Sequence, residues 1–266
     1  MTVNNTSTLN NINYVQSGLL EKVSTGLSIN KASDDASGLA VADSLNLQNN
    51  SISQSLENVS SGVAMSNIAQ GAISSQKDIL ENIKVQTLKA MNGTTSIDGK
   101  EAIAEQINKY IEQYEQIADS TNYNGEKLLK TSGDVSDDIS IIGDESIVSM
   151  QKADTTSVTD QLKELMSDFT TNPDSVKGML SAVDDGIATL SSAEGEFGSA
   201  SNALESMARG YMSAQTNIAN AQSSIMDFDF AQGVSDFSKT NIQSQVGYLA
   251  QSQAHAVQSR IVALLS

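Results

Sequence analysis

The sequence predicts a mainly α chain: an elongated, antiparallel helical bundle or coiled coil carrying a small β-hairpin region. Three observations lead there. First, every seventh residue from Val183 to Ile225 is apolar or aromatic: Val183, Leu190, Phe197, Leu204, Tyr211, Ile218 and Ile225. A second small or apolar position follows three residues later, at Ala193, Ala200, Met207, Ala214 and Ala221. An unbroken heptad seam of this kind makes helices wind around one another, because a straight helix would drift out of step with a seven-residue repeat. Second, the chain has 266 residues, no Trp, one Pro and 4% aromatic residues. That inventory fills narrow seams rather than one broad globular core. Third, Asn92-Gly93-Thr94, Asp98-Gly99 and Asn122-Tyr-Asn-Gly125 mark turn-rich stops between periodic stretches.

From the N-terminus, Ile12, Leu19, Leu20, Val23 and Leu27 fall near one face of a first helix. Ile52, Leu56, Val59 and Val63, then Ala69, Ile73, Leu80 and Leu88, predict a second helix from about Ser44 to Met91. Asn92-Gly93-Thr94 and Asp98-Gly99 interrupt it. Ile103, Ile107, Tyr110, Ile111, Tyr114 and Ile117 give a shorter amphipathic helix that folds back on the second and stops at Asn122-Tyr-Asn-Gly125. Ile139 and Ile141, then Ile147 and Val148, flank Gly143-Asp144-Glu145 as a β-hairpin does. A short helix is expected around Gln161 to Phe169. Asn172-Pro173-Asp174 then starts the heptad helix, with Asn as N-cap, Pro at the first helical position and Asp at the positive end of the helix dipole. The last helix, from about Lys239, places Ile242, Val246, Leu249, Val257, Ile261 and Leu264 on one face.

Charge narrows the function classes. The formal net charge is −17 and the isoelectric point about 4.2. Such a surface repels phosphate backbones and anionic lipid, so no nucleic acid and no membrane insertion is expected. No apolar run is long enough to span a bilayer. The opening segment lacks the basic and apolar regions of a secretory signal, so if the protein leaves the cell another machine must carry it. There is no cysteine, hence no disulfide or thiolate chemistry. Both terminal segments are amphipathic yet almost uncharged, with Gln, Asn and Ser where a solitary helix would carry Lys and Glu. Stacked copies would set like charge against like charge, so this composition argues for self-assembly through the termini.

Ser24-Thr-Gly-Leu-Ser-Ile-Asn30, with Lys31-Ala-Ser-Asp-Asp-Ala-Ser-Gly-Leu-Ala40, resembles the N-terminal signature of bacterial flagellins. Asn92-Gly-Thr94, Thr121-Asn-Tyr-Asn-Gly125 and Leu128-Leu129 match later landmarks. Ile225-Met-Asp-Phe-Asp-Phe-Ala231 and the stretch Gln253 to Leu265 resemble the C-terminal ones. The resemblance implies a short flagellin without large outer domains. In it, 1–43 and 227–266 form a paired-helix filament core and spoke, and 44–226 form a helical rod with the hairpin at about 138–151. It marks Asp34, Asp35, Gly38, Asp227, Asp229 and Phe230 as signature positions. It implies an extracellular, self-polymerising subunit for swimming motility, passed through the flagellar type III export apparatus with a flagellin chaperone and a filament cap. The family's arginines in two motifs are Ser28 and Met226 here. Flagellins sensed by the Toll-like receptor for flagellin carry Leu-Gln-Arg-Ile-Arg-Glu-Leu, where this chain has Leu80-Glu-Asn-Ile-Lys-Val-Gln86. Asn82 and Val85 replace the Arg and Glu that supply charged contacts there.

Chemical sites are weighed against plainer roles. His255 is the single histidine, so a packing or hydrogen-bonding role is read rather than a metal site. Asp34-Asp35 reads as a helix-start pair before a cation site, and Asp227 and Asp229 as hydrogen-bonding and subunit-contact residues before metal ligands. Asp134, Asp137, Asp138, Asp144 and Glu145 lack EF-hand spacing and read as a solvated loop face. Sequons occur at Asn58 and Asn92, and signify little without Sec-type export. No nucleophile elbow, zinc motif or phosphate loop is present, so no catalysis and no cofactor are assigned. Beside flagellin, two readings stay open: a hook–filament junction protein of the same fold, and a secreted monomeric helical binding module or type III tip protein.

Overall fold

A computed structural model describes residues 2–130, 138–143 and 146–265. The elements in order are α1 (Thr2–Thr25), α2 (Ala36–Met91), α3 (Ile97–Ser120), β1 (Asn122–Tyr123), β2 (Glu126–Lys127), β3 (Ile139–Ile142), β4 (Ile147–Met150), α4 (Thr156–Met166), α5 (Pro173–Met226) and α6 (Phe230–Leu265). The fold is mainly α with two small antiparallel hairpins.

Three helices start earlier than apolar periodicity indicates, each at a carboxylate. α2 begins at Ala36 rather than near Ser44, because Asp35 Oδ1 accepts from the backbone N–H groups of Ser37 (2.9 Å) and Gly38 (3.0 Å). α6 begins at Phe230 rather than near Lys239, with Asp229 Oδ1 accepting from Ala231 (2.9 Å) and Gln232 (3.0 Å). α4 spans Thr156–Met166 instead of 161–169, after Asp154 Oδ1 takes the Thr156 N–H at 3.1 Å. At α5, Asn172 Oδ1 accepts from Asp174 N at 3.0 Å, directly ahead of Pro173.

The chain divides into two compact units, Met1–Asn50 with Gln215–Ser266, and Ser51–Ala214. The boundaries lie inside α2 and α5, whereas the sequence reading divides the chain at 43/44 and 226/227. In the Ser51–Ala214 unit, α2 and α5 are antiparallel, since Lys77 pairs with Glu194 (2.9 Å) and Lys84 with Asp184 (2.6 Å). α3 returns along α2, where buried Gln76 donates Nε2 to the Tyr114 carbonyl at 3.1 Å. Ile73, Leu80, Ile83, Ile107, Ile111, Leu162, Met179 and Phe197 fill the space between these helices. β3 and β4 pair Ile139 with Met150 and Ile142 with Ile147. This hairpin rests on α2: Ser66 donates Oγ to the Met150 sulfur, and a Cβ on Gly62 would stand 2.9 Å from Ile141.

In the other unit, the last turn of α1 meets the start of α6, and Leu9 of α1 lies over Gly247 of α6, so these helices are antiparallel. A Cβ on Gly247 would come within 2.5 Å of Leu9 Cδ2, which makes the small residue the condition for this approach. Asn13 Nδ2 adds a bond to the Tyr248 hydroxyl at 3.2 Å. Gln222 of α5 donates to Asn46 of α2 at 3.1 Å.

Candidate self-association surface

The two links between helices in the terminal unit are tied to each other. α1 ends at Thr25, and Gly26 takes the left-handed φ of 74° that closes a helix cheaply only without a side chain. Its carbonyl accepts from Phe228 N (3.0 Å), while Ser28 N donates to the Met226 carbonyl (2.6 Å). Leu27 and Asp227 thereby form an antiparallel bridge. Phe228 and Phe230 stand edge to face with centroids 5.7 Å apart, and the Phe230 ring lies where a Gly26 Cβ would touch it at 3.7 Å.

The signature carboxylates act on the backbone. Asp34 Oδ2 accepts from Asn30 N (3.0 Å) and Lys31 N (3.1 Å), closing the loop before α2. Donation from Asn30 is the main reason its carboxyl is held below the ordinary aspartate range. Asp35 and Asp229 are N-caps, and Asp227 accepts from the Ser223 hydroxyl one turn back on α5. A Cβ on Gly38 would lie 2.6 Å from Cδ1 of buried Ile29, so the loop packs onto α2 at the cost of any side chain there.

What this unit leaves uncovered is apolar. Among its described residues, the buried hydrophobics are Leu9, Ile29 and Ala42. Tyr14 and Leu20 on α1 are 78% and 57% exposed, and Ile242, Val246 and Leu249 on α6 are 62%, 60% and 63% exposed. Val257 and Ile261 extend the α6 row. Charge is nearly missing beside it: α1 carries Glu21 and Lys22, and α6 carries Asp236, Lys239 and Arg260 besides exposed His255. Water gains little from solvating such a face, and apolar cover by another chain gains about 25 cal/mol per Å².

The heptad positions divide by unit. Val183, Leu190, Phe197 and Leu204 are fully buried, Tyr211 is half-buried, and in the terminal unit Ile218 and Ile225 are half-buried. Asn82 is exposed and donates Nδ2 to its own helix at the Asp78 carbonyl (2.9 Å); Val85 is 51% exposed. Asp134, Asp137, Asp144 and Glu145 lie outside the described residues, and Asp138 is exposed. Among the described residues no group of three His, Cys, Asp or Glu is placed to hold a metal ion, and no helix is long and apolar enough to cross a membrane. Sequence reasoning missed the β1–β2 hairpin. Its signal was Asn124-Gly125, whose φ values of 52° and 85° suit a two-residue type I′ turn.

Two family models match the chain: the bacterial flagellin N-terminal helical region over residues 1–134, and the bacterial flagellin C-terminal helical region over 180–265. A flagellin of Halalkalibacterium halodurans is 27% identical over 96% of this chain and 93% of its own length. A flagellar filament 31.3 kDa core protein of Treponema maltophilum is 26% identical over 95% and 93%. A solved structure of a putative flagellar hook-associated protein from Vibrio parahaemolyticus superposes with a TM-score of 0.66, covering 73% of this chain and all of that one. At 16% identity that likeness shows shared fold alone.

Proposed function

The chain belongs to the bacterial flagellin family and is a structural subunit of the flagellar filament; we propose that copies join through the α1–α6 face of the terminal unit. One observation carries this proposal: a nearly uncharged pair of helices whose apolar rows, including Ile242, Val246 and Leu249, are more than half exposed in the single chain. Three such side chains, each worth roughly 1.5–3 kcal/mol when fully covered, supply enough to hold copies together when repeated at every subunit. Asp34, Asp35, Gly38, Asp227, Asp229 and Phe230 fix the links through which this helix pair joins α2 and α5. The family resemblance further supports passage through the flagellar export apparatus, handling by a flagellin chaperone and addition beneath a filament cap, to an extracellular filament used in swimming.

The test replaces Ile242, Val246 and Leu249 together with Ser. These side chains are exposed, so circular dichroism of the monomer should be unchanged while sedimentable polymer is lost. Polymerisation at the native level by the triple variant would refute the assignment. A hook–filament junction role would instead give short or capped assemblies from the unaltered chain.

A further inference from the structure

The turn between α2 and α3 holds an asparagine–glycine pair arranged for a covalent change. Asn92 follows the last residue of α2 and is exposed. Its Oδ1 accepts from Thr94 N (3.2 Å) and from the Thr94 hydroxyl (3.0 Å). Bonding two residues ahead folds the carboxamide back over the Gly93 peptide. Two donors on Oδ1 also draw electron density from Cγ. Gly93 has no side chain, and nothing lies within 4 Å of the place a Cβ would occupy. The second Asn–Gly pair, Asn124-Gly125, differs. It is the turn of the β1–β2 hairpin, with both φ values positive and Tyr123 paired with Glu126 across it. Turning the Asn124 Cα–C bond to bring its carboxamide onto the Gly125 nitrogen would break that pairing.

We infer that Asn92 is a site of spontaneous deamidation, a self-modification that Asn124 resists. The Gly93 backbone nitrogen gives its proton to solvent and attacks Asn92 Cγ. The C–N bond to the amide breaks, and the nitrogen leaves as ammonia after taking up a proton. Water then opens the five-membered imide at one of its two carbonyls, leaving aspartate or isoaspartate at position 92. No oxidant or reductant takes part. Either product sets a carboxylate beside the C-terminal carbonyls of α2, where the helix dipole opposes negative charge. Isoaspartate also adds a methylene to the main chain between α2 and α3, next to the bond from the Thr95 hydroxyl to the Lys89 carbonyl (2.9 Å) that shapes the turn. Conversion accumulates with time, so position 92 registers the age of each subunit.

The folded full-length protein is held at mildly alkaline pH, digested at intervals and peptide-mapped by mass spectrometry, with an isoaspartate methyltransferase assay in parallel. Asn92 should convert many times faster than Asn124. In denaturant the two rates should converge, because both are then Asn–Gly in open chain. Gly93→Ala, which fits the open space, should slow conversion sharply without altering the circular dichroism spectrum. Equal rates at the two sites in the folded protein would overturn the inference. So would an undiminished gap in denaturant, which would assign the difference to local sequence rather than to the turn.

Discussion

Phe197 lies at the middle of the heptad seam, fully buried, with the buried residues Ala193 and Ala200 on either side. Phe197→Ala removes a fully buried ring from the cluster that also holds Ile73 and Leu190, and close-packed helices relax only partly into the space left. Large-to-small changes of this kind cost about 3–5 kcal/mol. For a unit of this size each kcal/mol lowers Tm by roughly 2–4 °C, so a fall of about 6–20 °C is expected. Leu88→Ala is the control, because Leu88 on α2 is 51% exposed; its cost should stay within about 0.5 kcal/mol. Thermal melts of the monomer followed by circular dichroism read both. Matching Tm values for the two variants would refute the placement of the seam in the core.

Other expectations follow from single groups. Tyr114 is buried, its hydroxyl has no partner among the described residues, and burial raises its pKa. Above tyrosine's ordinary pKa the unfolded chain releases a proton that the folded chain keeps, so stability should fall by about 1.4 kcal/mol per pH unit there; Tyr114→Phe should flatten that alkaline limb and change little at neutral pH, which urea titrations at several pH values measure. The Asp34 carboxyl should titrate below an ordinary aspartate by NMR, because backbone donors favour its charged form; its contribution is present above the unfolded pKa and fades as pH falls through the folded one, and an ordinary titration midpoint would contradict the loop geometry. Amides of α1 and α6 should exchange quickly in the monomer and slowly in polymer, since few of their side chains are buried. At Asn82 and Val85, loss of the family's Arg and Glu should weaken activation of the Toll-like receptor for flagellin by about thirtyfold, the equivalent of about 2 kcal/mol; equal potency in a reporter-cell assay beside a receptor-active flagellin would show that those charges do not matter.

Legibility in the sequence followed the kind of force involved. α5 could be read from end to end because an apolar residue recurs every seven positions from Val183 to Ile225 and Asn172-Pro173 marks its start. Apolar periodicity alone placed the starts of α2 and α6 late, because Gly38 and Gly233 interrupt it within their first turns. There the decisive contacts are carboxylate to backbone N–H: Asp35 belongs to the pair that did read as a helix start, whereas Asp229 is a weak marker in a chain holding 32 acidic residues. The β1–β2 hairpin escaped for a related reason: Tyr123 and Glu126 offer no alternation, leaving Asn124-Gly125 as the single cue. On the terminal surface, sequence supplied the apolar row of α6 and its missing charge. The pairing of Leu27 with Asp227 is long-range backbone geometry that no local pattern encodes.

Electron microscopy of salted-out protein tests the central claim most directly, comparing the full chain with chains lacking Met1–Leu20 or Lys239–Ser266. The account predicts long filaments from the full chain and none from either truncation, with circular dichroism still showing the helices of the Ser51–Ala214 unit. Filaments from either truncated chain would contradict it.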